Sequence, residues 1–207
     1  MRVAIEGNIG CGKTTLCSSL ASHTRLPVVL EPLHEWTDIL ARFYGDPARW
    51  GFAMNVNVLA SYATWARDER DIIFERSPFS CRWVFTEQQV ADGHMDRVEL
   101  SIIDQLHRGA AWKPDVVIYL RCPPGTCHER MVARGRGCEE GVSLGYLRAL
   151  HERYETAIAA LSRDPHVDVF CVDAGAPSSE VLDTVARYLD ARLTQATDSA
   201  AALARVA

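Results

Sequence analysis

The sequence predicts an α/β fold in which a five-stranded parallel sheet is covered by helices on both faces. Apolar runs of strand length occur at 2–6, 27–30, 71–75, 115–120 and 167–172. The stretches between them have the apolar spacing of helices, at about 13–24, 35–44, 49–70, 78–91, 95–112, 124–134, 143–163 and 178–193. Alternating strands and helices favour a parallel sheet, whose ligands bind beyond the carboxyl ends of the strands. Functional residues are therefore expected directly after the strands.

The first strand leads into a glycine-rich loop that matches the phosphate-binding pattern G-x-x-x-x-G-K-[ST] and precedes a helix. Backbone N–H groups and the helix N-terminus would surround phosphate oxygens, with Lys13 at the β- and γ-phosphates and Thr14 on Mg²⁺. Lysine is rare in this arginine-rich chain, so a lysine here by chance is improbable. The segment predicts binding of a nucleoside triphosphate. Its predicted ATP-binding residues are Gly7, Asn8, Ile9, Gly10, Cys11, Gly12, Lys13, Thr14 and Thr15.

The second strand ends at a glutamate, Glu31, which is followed by Pro32. Proline holds the preceding residue extended, so the Glu31 carboxylate should project into the crevice at the strand end. A carboxylate there can accept the proton of a hydroxyl group that is being phosphorylated. The alternative is a solvated acid at a helix-entry turn, since Glu35 and Asp38 lie nearby.

The third strand closes with Glu75, Arg76 and Ser77. A carboxylate that ends a central strand beside a phosphate-binding loop commonly assists Mg²⁺, which makes Glu75 a candidate metal ligand with Thr14. An arginine beside it can orient a carboxylate base and bridge to the phosphoryl group. A buried structural pair between Glu75 and Arg76 is the alternative.

Three arginines follow the fourth strand, at Arg130, Arg134 and Arg136. Glycines at 135 and 137 loosen the chain and predict a mobile lid at about 134–141. Arginines on such a lid could close over the transferring phosphoryl oxygens and stabilise their charge. The alternative is a solvated basic helix end, which the helix dipole favours.

Composition limits the classes of function. The 207 residues fit one domain, at 1–193, followed by an Ala-rich tail at 194–207. The net charge of −5 argues against a nucleic-acid polymer as partner, and no apolar run reaches the length of a membrane span. Seven scattered cysteines without a C-x-x-C pair predict reduced thiols. With a strand starting at residue 2 or 3 and no preceding leader, we expect a cytoplasmic protein.

These motifs stand in an order that resembles the deoxynucleoside kinase family over about residues 2–172. The resemblance implies a P-loop kinase fold with an arginine-bearing lid, and ATP- and Mg²⁺-dependent phosphorylation of the 5′-hydroxyl of 2′-deoxynucleosides in nucleotide salvage. It implies that Glu31 is the base and that Arg76 holds Glu31 and the 5′ end. It further implies that Arg130, Arg134 and Arg136 act from the lid, and that the protein is a homodimer.

The same resemblance implies positions for the nucleoside and the adenine. Tyr44 and Glu139 match residues that bind the sugar 3′-hydroxyl, and Asp173 falls in the region that lines the adenine of ATP. The implied nucleoside contacts are Glu31, Trp36, Tyr44, Met54, Asn55, Val58, Tyr62, Arg76, Cys81, Phe85 and Glu139.

The departures from the family pattern lie in the base pocket. Met54 and Asn55 stand where the family usually has Phe-Gln, so the amide that would pair with the base is shorter by one methylene. Tyr62 and Cys81 stand where deoxycytidine kinase has a charged Arg–Asp pair. Without that pair, strong selection of cytosine is not expected. The resemblance therefore favours a pyrimidine-leaning enzyme, with thymidine as a candidate substrate.

Two other functions remain open from the sequence. A nucleoside monophosphate kinase of the thymidylate type shares the fold, but Glu31 would repel an acceptor phosphate. A non-catalytic scaffold on the same fold could lose Lys13, Thr14, Glu31 or Arg76, and all four are present. The substitution at Asn55 is the feature that keeps the scaffold in consideration.

Overall fold

A five-stranded parallel sheet runs through the centre of the protein, as the sequence predicts. The computed structural model describes residues 1–24, 26–65, 71–110 and 112–204. Within them the strands are β1 (Arg2–Gly7), β2 (Val28–Val29), β3 (Ile72–Glu75), β4 (Val116–Arg121) and β5 (Asp168–Asp173). Their order across the sheet is β2-β3-β1-β4-β5, and every pairing is parallel. The strand that carries the phosphate-binding loop is therefore central.

Helices fill the connections between the strands. They are α1 (Lys13–His23), α2 (Thr37–Gly45), α3 (Pro47–Trp65), α4 (Pro78–Ser80), α5 (Glu87–Ala91), α6 (Arg97–Ala110), α7 (Pro124–Arg134), α8 (Leu144–Leu161) and α9 (Ser178–Ala204). The predicted helix at 78–91 is interrupted, because a π-helical segment (Cys81–Thr86) lies between α4 and α5. The predicted lid contains a single 3₁₀ turn (Gly137–Glu139).

Some predicted boundaries fall outside the described residues. The end of the predicted helix at 49–70 and residue 111 of the helix at 95–112 lie there. Helix α9 continues through most of the predicted tail to Ala204, and 205–207 are again outside the described residues.

Both faces of the sheet are covered. Val3, Ala4 and Ile5 are consecutive in β1 and each is fully buried. Since consecutive strand residues point to opposite faces, burial of all three requires helices on both sides. Among the helices that the structure describes, none combines the length and the apolar character needed to cross a membrane.

Candidate active site

A cavity of about 500 Å³ opens beyond the carboxyl ends of β1, β2 and β3. This volume is in the range of small-molecule sites. Most of the predicted site residues meet here because parallel strands deliver their ends to one edge of the sheet. The predicted residues that line the cavity are Ile9, Gly10, Gly12, Lys13, Thr14, Thr15, Glu31, Trp36, Tyr44, Met54, Asn55, Val58, Tyr62, Glu75, Arg76, Cys81, Phe85, Arg134, Arg136 and Glu139.

The phosphate-binding loop is closed around its own lysine. The Lys13 ammonium donates to the carbonyl oxygens of Gly7 (3.1 Å) and Asn8 (2.8 Å), inside the loop. Gly10 and Gly12 adopt left-handed backbone angles, with φ of 80° and 103°. Helix α1 begins at Lys13, so its N-terminus faces the cavity. The arrangement presents N–H groups and one ammonium to a phosphate group.

Two side chains of the loop turn away from the cavity. The Asn8 amide donates to the carbonyl oxygen of Leu147 at 2.8 Å and so ties the loop to α8. Cys11 is buried against Gly7 in the core below the loop. The side chains of Asn8 and Cys11 therefore support the loop, and the ATP contacts predicted for these residues would be made by their backbone groups.

Glu31 and Arg76 form the central ion pair of the site. The Arg76 Nε donates to the Glu31 carboxylate at 3.2 Å, with both side chains largely buried. The prediction that Glu31 projects into the crevice is confirmed, and the solvated alternative is wrong because its side chain is only 13% exposed. Burial raises the pKa of Glu31, an effect that the Arg76 charge opposes and the Glu75 charge adds to.

Glu75 and Arg76 are not partners of one another. The Thr14 hydroxyl donates to the Glu75 carboxylate at 2.6 Å, and the Glu31 backbone N–H donates to the other oxygen at 3.4 Å. The alternative of a structural Glu75–Arg76 pair is therefore wrong. A hydroxyl and a carboxylate oxygen beside the phosphate-binding loop fit Mg²⁺, which prefers oxygen ligands and takes several of them from phosphates and water.

Glu139 organises the lid. Arg134 Nη2 donates to both carboxylate oxygens of Glu139, at 2.9 and 2.6 Å. Arg136 lies 3.6 Å from the same carboxylate. Gly135, with φ of 65°, ends α7 between the two arginines. Two lid arginines and a candidate sugar ligand thus form one cluster at the cavity edge.

Arg130 and Asp173 are not among the residues that line this cavity, and their predicted roles at the phosphates and the adenine stay predictions. The Arg130 guanidinium donates to the carbonyl oxygen of Ala174 at 2.7 Å and joins α7 to the loop after β5. The Asp173 carboxylate accepts from the backbone N–H of Gly175 at 2.8 Å in the same loop. Arg130 lies on the same helix as Arg134, one turn earlier.

The amide of Asn55 is engaged within the protein. Its Nδ2 donates to the carbonyl oxygen of Gly51 at 2.8 Å, and its Oδ1 accepts from the Thr86 hydroxyl at 3.0 Å and the Cys81 thiol at 3.6 Å. Asn55 nevertheless lines the cavity, and one of its two Nδ2 hydrogens has no partner among these bonds. The contact with a base stays a prediction, made by an amide that is already held by its own helix.

Aromatic side chains shape the deep end of the cavity. Trp36 packs edge-on against Tyr62, with ring centroids 6.4 Å apart, and its indole N–H donates to Ser61. The Arg76 guanidinium lies 4.9 Å from the centroid of the Phe85 ring. These contacts fix the rings as walls for a flat ligand.

Sequence reasoning missed several residues at or under the site, among them two in the cavity lining and two beneath Arg76. Tyr146 and Gln89 line the cavity, and Glu6 and Tyr154 lie beneath Arg76. Burial raises the pKa of Tyr146, so its hydroxyl stays protonated and can donate. Tyr146 stands in the helix after the lid, a position that the resemblance could have indicated. No spacing pattern marks the other three residues.

Comparison with known proteins identifies the family. The model of the deoxynucleoside kinase family matches residues 3–187. The chain belongs to the deoxynucleoside kinase family. A thymidine kinase of Ictalurid herpesvirus 1 (strain Auburn) is 35% identical over 197 residues, which cover 89% of this chain and 84% of that protein. Deoxycytidine kinase 2 of Gallus gallus is 30% identical over 200 residues, covering 75% of this chain and 72% of that protein.

A solved structure confirms the fold of this deoxynucleoside kinase. Deoxyadenosine kinase from M. mycoides, with the products dCMP and a flexible dCDP bound, superposes with a TM-score of 0.84 at 23% identity. The match covers 92% of this chain and 99% of that chain. Its membership of the family makes the protein an enzyme that phosphorylates deoxynucleosides. Membership of this family argues against both alternatives from the sequence, the nucleoside monophosphate kinase and the non-catalytic scaffold.

Proposed function

We propose that this deoxynucleoside kinase prefers pyrimidine deoxynucleosides, thymidine among them. The observation that carries the proposal is the uncharged deep end of the cavity. Its walls include Met54, Val58, Tyr62 and Cys81. The buried Tyr62 ring narrows the cavity here, which would favour the smaller ring of a pyrimidine. Relatives named as thymidine and deoxycytidine kinases support the same preference.

Glu31 accepts the proton of the 5′-hydroxyl in the proposed mechanism. Its carboxylate lies between the nucleoside end of the cavity and the phosphate-binding loop. Burial raises the pKa of Glu31, which makes the carboxylate a stronger base at neutral pH. Arg76 holds that carboxylate in place through its Nε and keeps a positive charge beside the reacting oxygen.

The phosphate end of the cavity uses the loop and the lid. Lys13 exchanges its two carbonyl partners for the β- and γ-phosphates, and Arg134 and Arg136 neutralise charge on the transferring group. Thr14 and Glu75 would hold Mg²⁺ with the phosphates. The ion neutralises phosphate charge when it is bound.

Tyr44 and Glu139 bind the sugar 3′-hydroxyl in this proposal. The Glu139 carboxylate has four lone-pair sites, and Arg134 uses only part of them. Burial raises the pKa of Tyr44, so its hydroxyl remains a donor throughout the neutral range. One carboxylate therefore contacts both the lid and the sugar.

A homodimer accompanies this function in our proposal. Helix α6 exposes Val98, Ile102 and Leu106 at four-residue spacing, and Trp83 is also exposed. Apolar residues at this spacing form one face of a helix, which fits a second copy of the same face. Replacing Ile102 with Glu should convert a dimer to a monomer in light scattering. A wild-type protein with the mass of a monomer would contradict the dimer, and a variant with the mass of a dimer would contradict this interface.

The preference is tested by measuring ATP-dependent phosphorylation of thymidine, deoxycytidine, deoxyadenosine, deoxyguanosine and dTMP side by side. We expect the highest kcat/KM for a pyrimidine deoxynucleoside and no turnover of dTMP. The Glu31→Gln variant is the control that identifies turnover at this site. A purine deoxynucleoside that exceeds both pyrimidines about tenfold in kcat/KM, or 1.4 kcal/mol, would overturn the preference.

A further inference from the structure

A buried chain of hydrogen bonds lies beneath the Arg76 guanidinium. Arg76 Nη1 donates to the Tyr154 hydroxyl at 2.5 Å and to the Gly7 carbonyl oxygen at 2.9 Å. The Tyr154 hydroxyl in turn donates to the Glu6 carboxylate at 3.3 Å, and the Ser77 hydroxyl donates to the same carboxylate at 2.6 Å. Glu6 and Tyr154 are fully buried and lie outside the lining of the cavity.

The register of the sheet explains why a second carboxylate lies next to Arg76. Ile5 pairs with Glu75 and Val29 pairs with Phe74. One and two residues further on, these registers bring Glu6 and Glu31 beside Arg76 from the two neighbouring strands. The guanidinium is therefore held between two buried carboxylates, directly by Glu31 and through Tyr154 by Glu6.

Arg76 needs this support because its backbone is strained. Its φ of 66° is left-handed, a conformation that costs a non-glycine residue about 1–2 kcal/mol. Such a conformation persists only where surrounding contacts fix it. The Arg76 guanidinium contacts Tyr154, Gly7, the Phe85 ring and Glu31.

We propose that Tyr154 and Glu6 are positioning residues that fix the Arg76 guanidinium and, through it, the Glu31 carboxylate. Arg76 directs Nη1 to Tyr154 and Nε to Glu31, so the geometry at one side determines the geometry at the other. A guanidinium that is planar transmits orientation between its two edges. The proposal rests on the proposed roles of Glu31 and Arg76 in catalysis.

The variant Tyr154→Phe tests the chain with one atom removed. We expect kcat to fall about tenfold or more, which corresponds to at least about 1.4 kcal/mol, while the KM for ATP changes less than about twofold. The matched control is Tyr119→Phe. Tyr119 stacks on Tyr154 with ring centroids 5.7 Å apart, but its hydroxyl donates to Glu155, away from Arg76.

The two variants separate positioning from stability. Both remove one buried hydroxyl, so we expect similar losses of thermal stability, with kcat reduced only in Tyr154→Phe. A Tyr154→Phe enzyme with kcat within about twofold of the wild type would overturn the proposal. Equal losses of kcat in both variants would overturn it as well, because they would indicate a general packing effect.

A double-mutant cycle tests whether Tyr154 acts through Arg76. In an Arg76→Lys background the planar connection is absent, so Tyr154→Phe should change kcat less than about twofold there. Independent, additive effects would overturn the connection. If Arg76→Lys and Glu31→Gln both keep full turnover, the proposed catalytic roles are wrong. If they lose turnover and Tyr154→Phe does not, the positioning chain alone is wrong.

Glu6→Gln provides a rescue comparison. Gln retains an oxygen that can accept from Ser77 and Tyr154, whereas Glu6→Leu removes every acceptor. We expect Glu6→Gln to keep at least several times the kcat of Glu6→Leu when both are folded. If Glu6→Leu does not fold, the double-mutant cycle of Tyr154 and Arg76 is repeated in the Glu6→Gln background. We expect the two residues to remain coupled in kcat there. Loss of that coupling would contradict the assigned role of Glu6.

Discussion

Replacing Glu31 with Gln keeps the shape of the side chain but removes its charge and its ability to accept a proton. In the structure the carboxylate accepts from Arg76 Nε at 3.2 Å and is 13% exposed. The amide oxygen of Gln can keep that hydrogen bond. Arg76 also retains Tyr154 and Gly7 as acceptors, so the buried guanidinium is not left without partners. We therefore expect a folded variant.

The expected loss of kcat is about 10²- to 10⁴-fold, the usual contribution of a general base. This range corresponds to about 3–5 kcal/mol of activation free energy. Glu31→Ala is less informative, because removing one partner of a buried ion pair can itself cost about 3–5 kcal/mol of stability. Since Lys13 and the phosphate-binding loop are separate from Glu31, ATP binding should persist. Calorimetric titration with ATP measures this directly.

The pH dependence gives a second measurement on the same residue. Burial, with the Glu75 charge in addition, raises the pKa of Glu31 above the ordinary value of about 4.3. The base acts when deprotonated, so kcat should fall as pH decreases through this raised pKa, and Glu31→Gln should lose that limb. A Gln variant that keeps more than a tenth of the wild-type kcat, or the same acidic limb, would refute the role of Glu31.

Three further variants test the surroundings of the site. Gly10→Ala places a Cβ 2.2 Å from the Cys127 carbonyl oxygen, so urea unfolding should show a loss above about 2 kcal/mol, larger than for Gly12→Ala, whose Cβ meets nothing within 4 Å. Asn55→Ala should lower the free energy of unfolding by about 1–3 kcal/mol, with the KM for thymidine changed less than about threefold. A tenfold rise in that KM would instead show that Asn55 binds the base. Glu139→Gln should reduce the preference for thymidine over 3′-deoxythymidine in kcat/KM, and an unchanged preference would remove Glu139 from the sugar site.

The sequence was sufficient for the sheet and for the clustering of most site residues. Each predicted strand is a short apolar run with candidate functional residues at or just after its end, and a parallel sheet delivers such residues to one edge. The sequence therefore predicted that the phosphate-binding loop, Glu31 and Glu75 lie together at the carboxyl edge of the sheet, and all three line the cavity there. The interruption at Cys81–Thr86 was not predictable, because a π-helical segment of about one turn is too short to show an apolar period of its own.

Side-chain direction is what the sequence left open. Arg130 and Arg134 are four residues apart on α7, and helical spacing together with the family resemblance gave them one role. The structure separates them, because Arg134 meets Glu139 in the lid and Arg130 meets the carbonyl of Ala174 at the edge of the sheet. Asn55 is expected to contact a base because a longer amide does so in the family. The sequence did not show that this shorter side chain also bonds to the helix carbonyl four residues earlier.

The choice of partners around Arg76 follows from elementary strand geometry. Glu75 and Arg76 are adjacent in the chain, but Glu75 is the last residue of β3 and Arg76 follows it with a left-handed φ, and their side chains meet different partners. Glu75 faces Thr14, and Arg76 faces the carboxylate that the neighbouring strand brings to the same level. The left-handed φ of Arg76 then turns its guanidinium so that Nε and Nη1 reach different partners. The strained residue is thus where the buried charges and the cavity meet, which is why substitutions beneath Arg76 should affect turnover without touching the substrate.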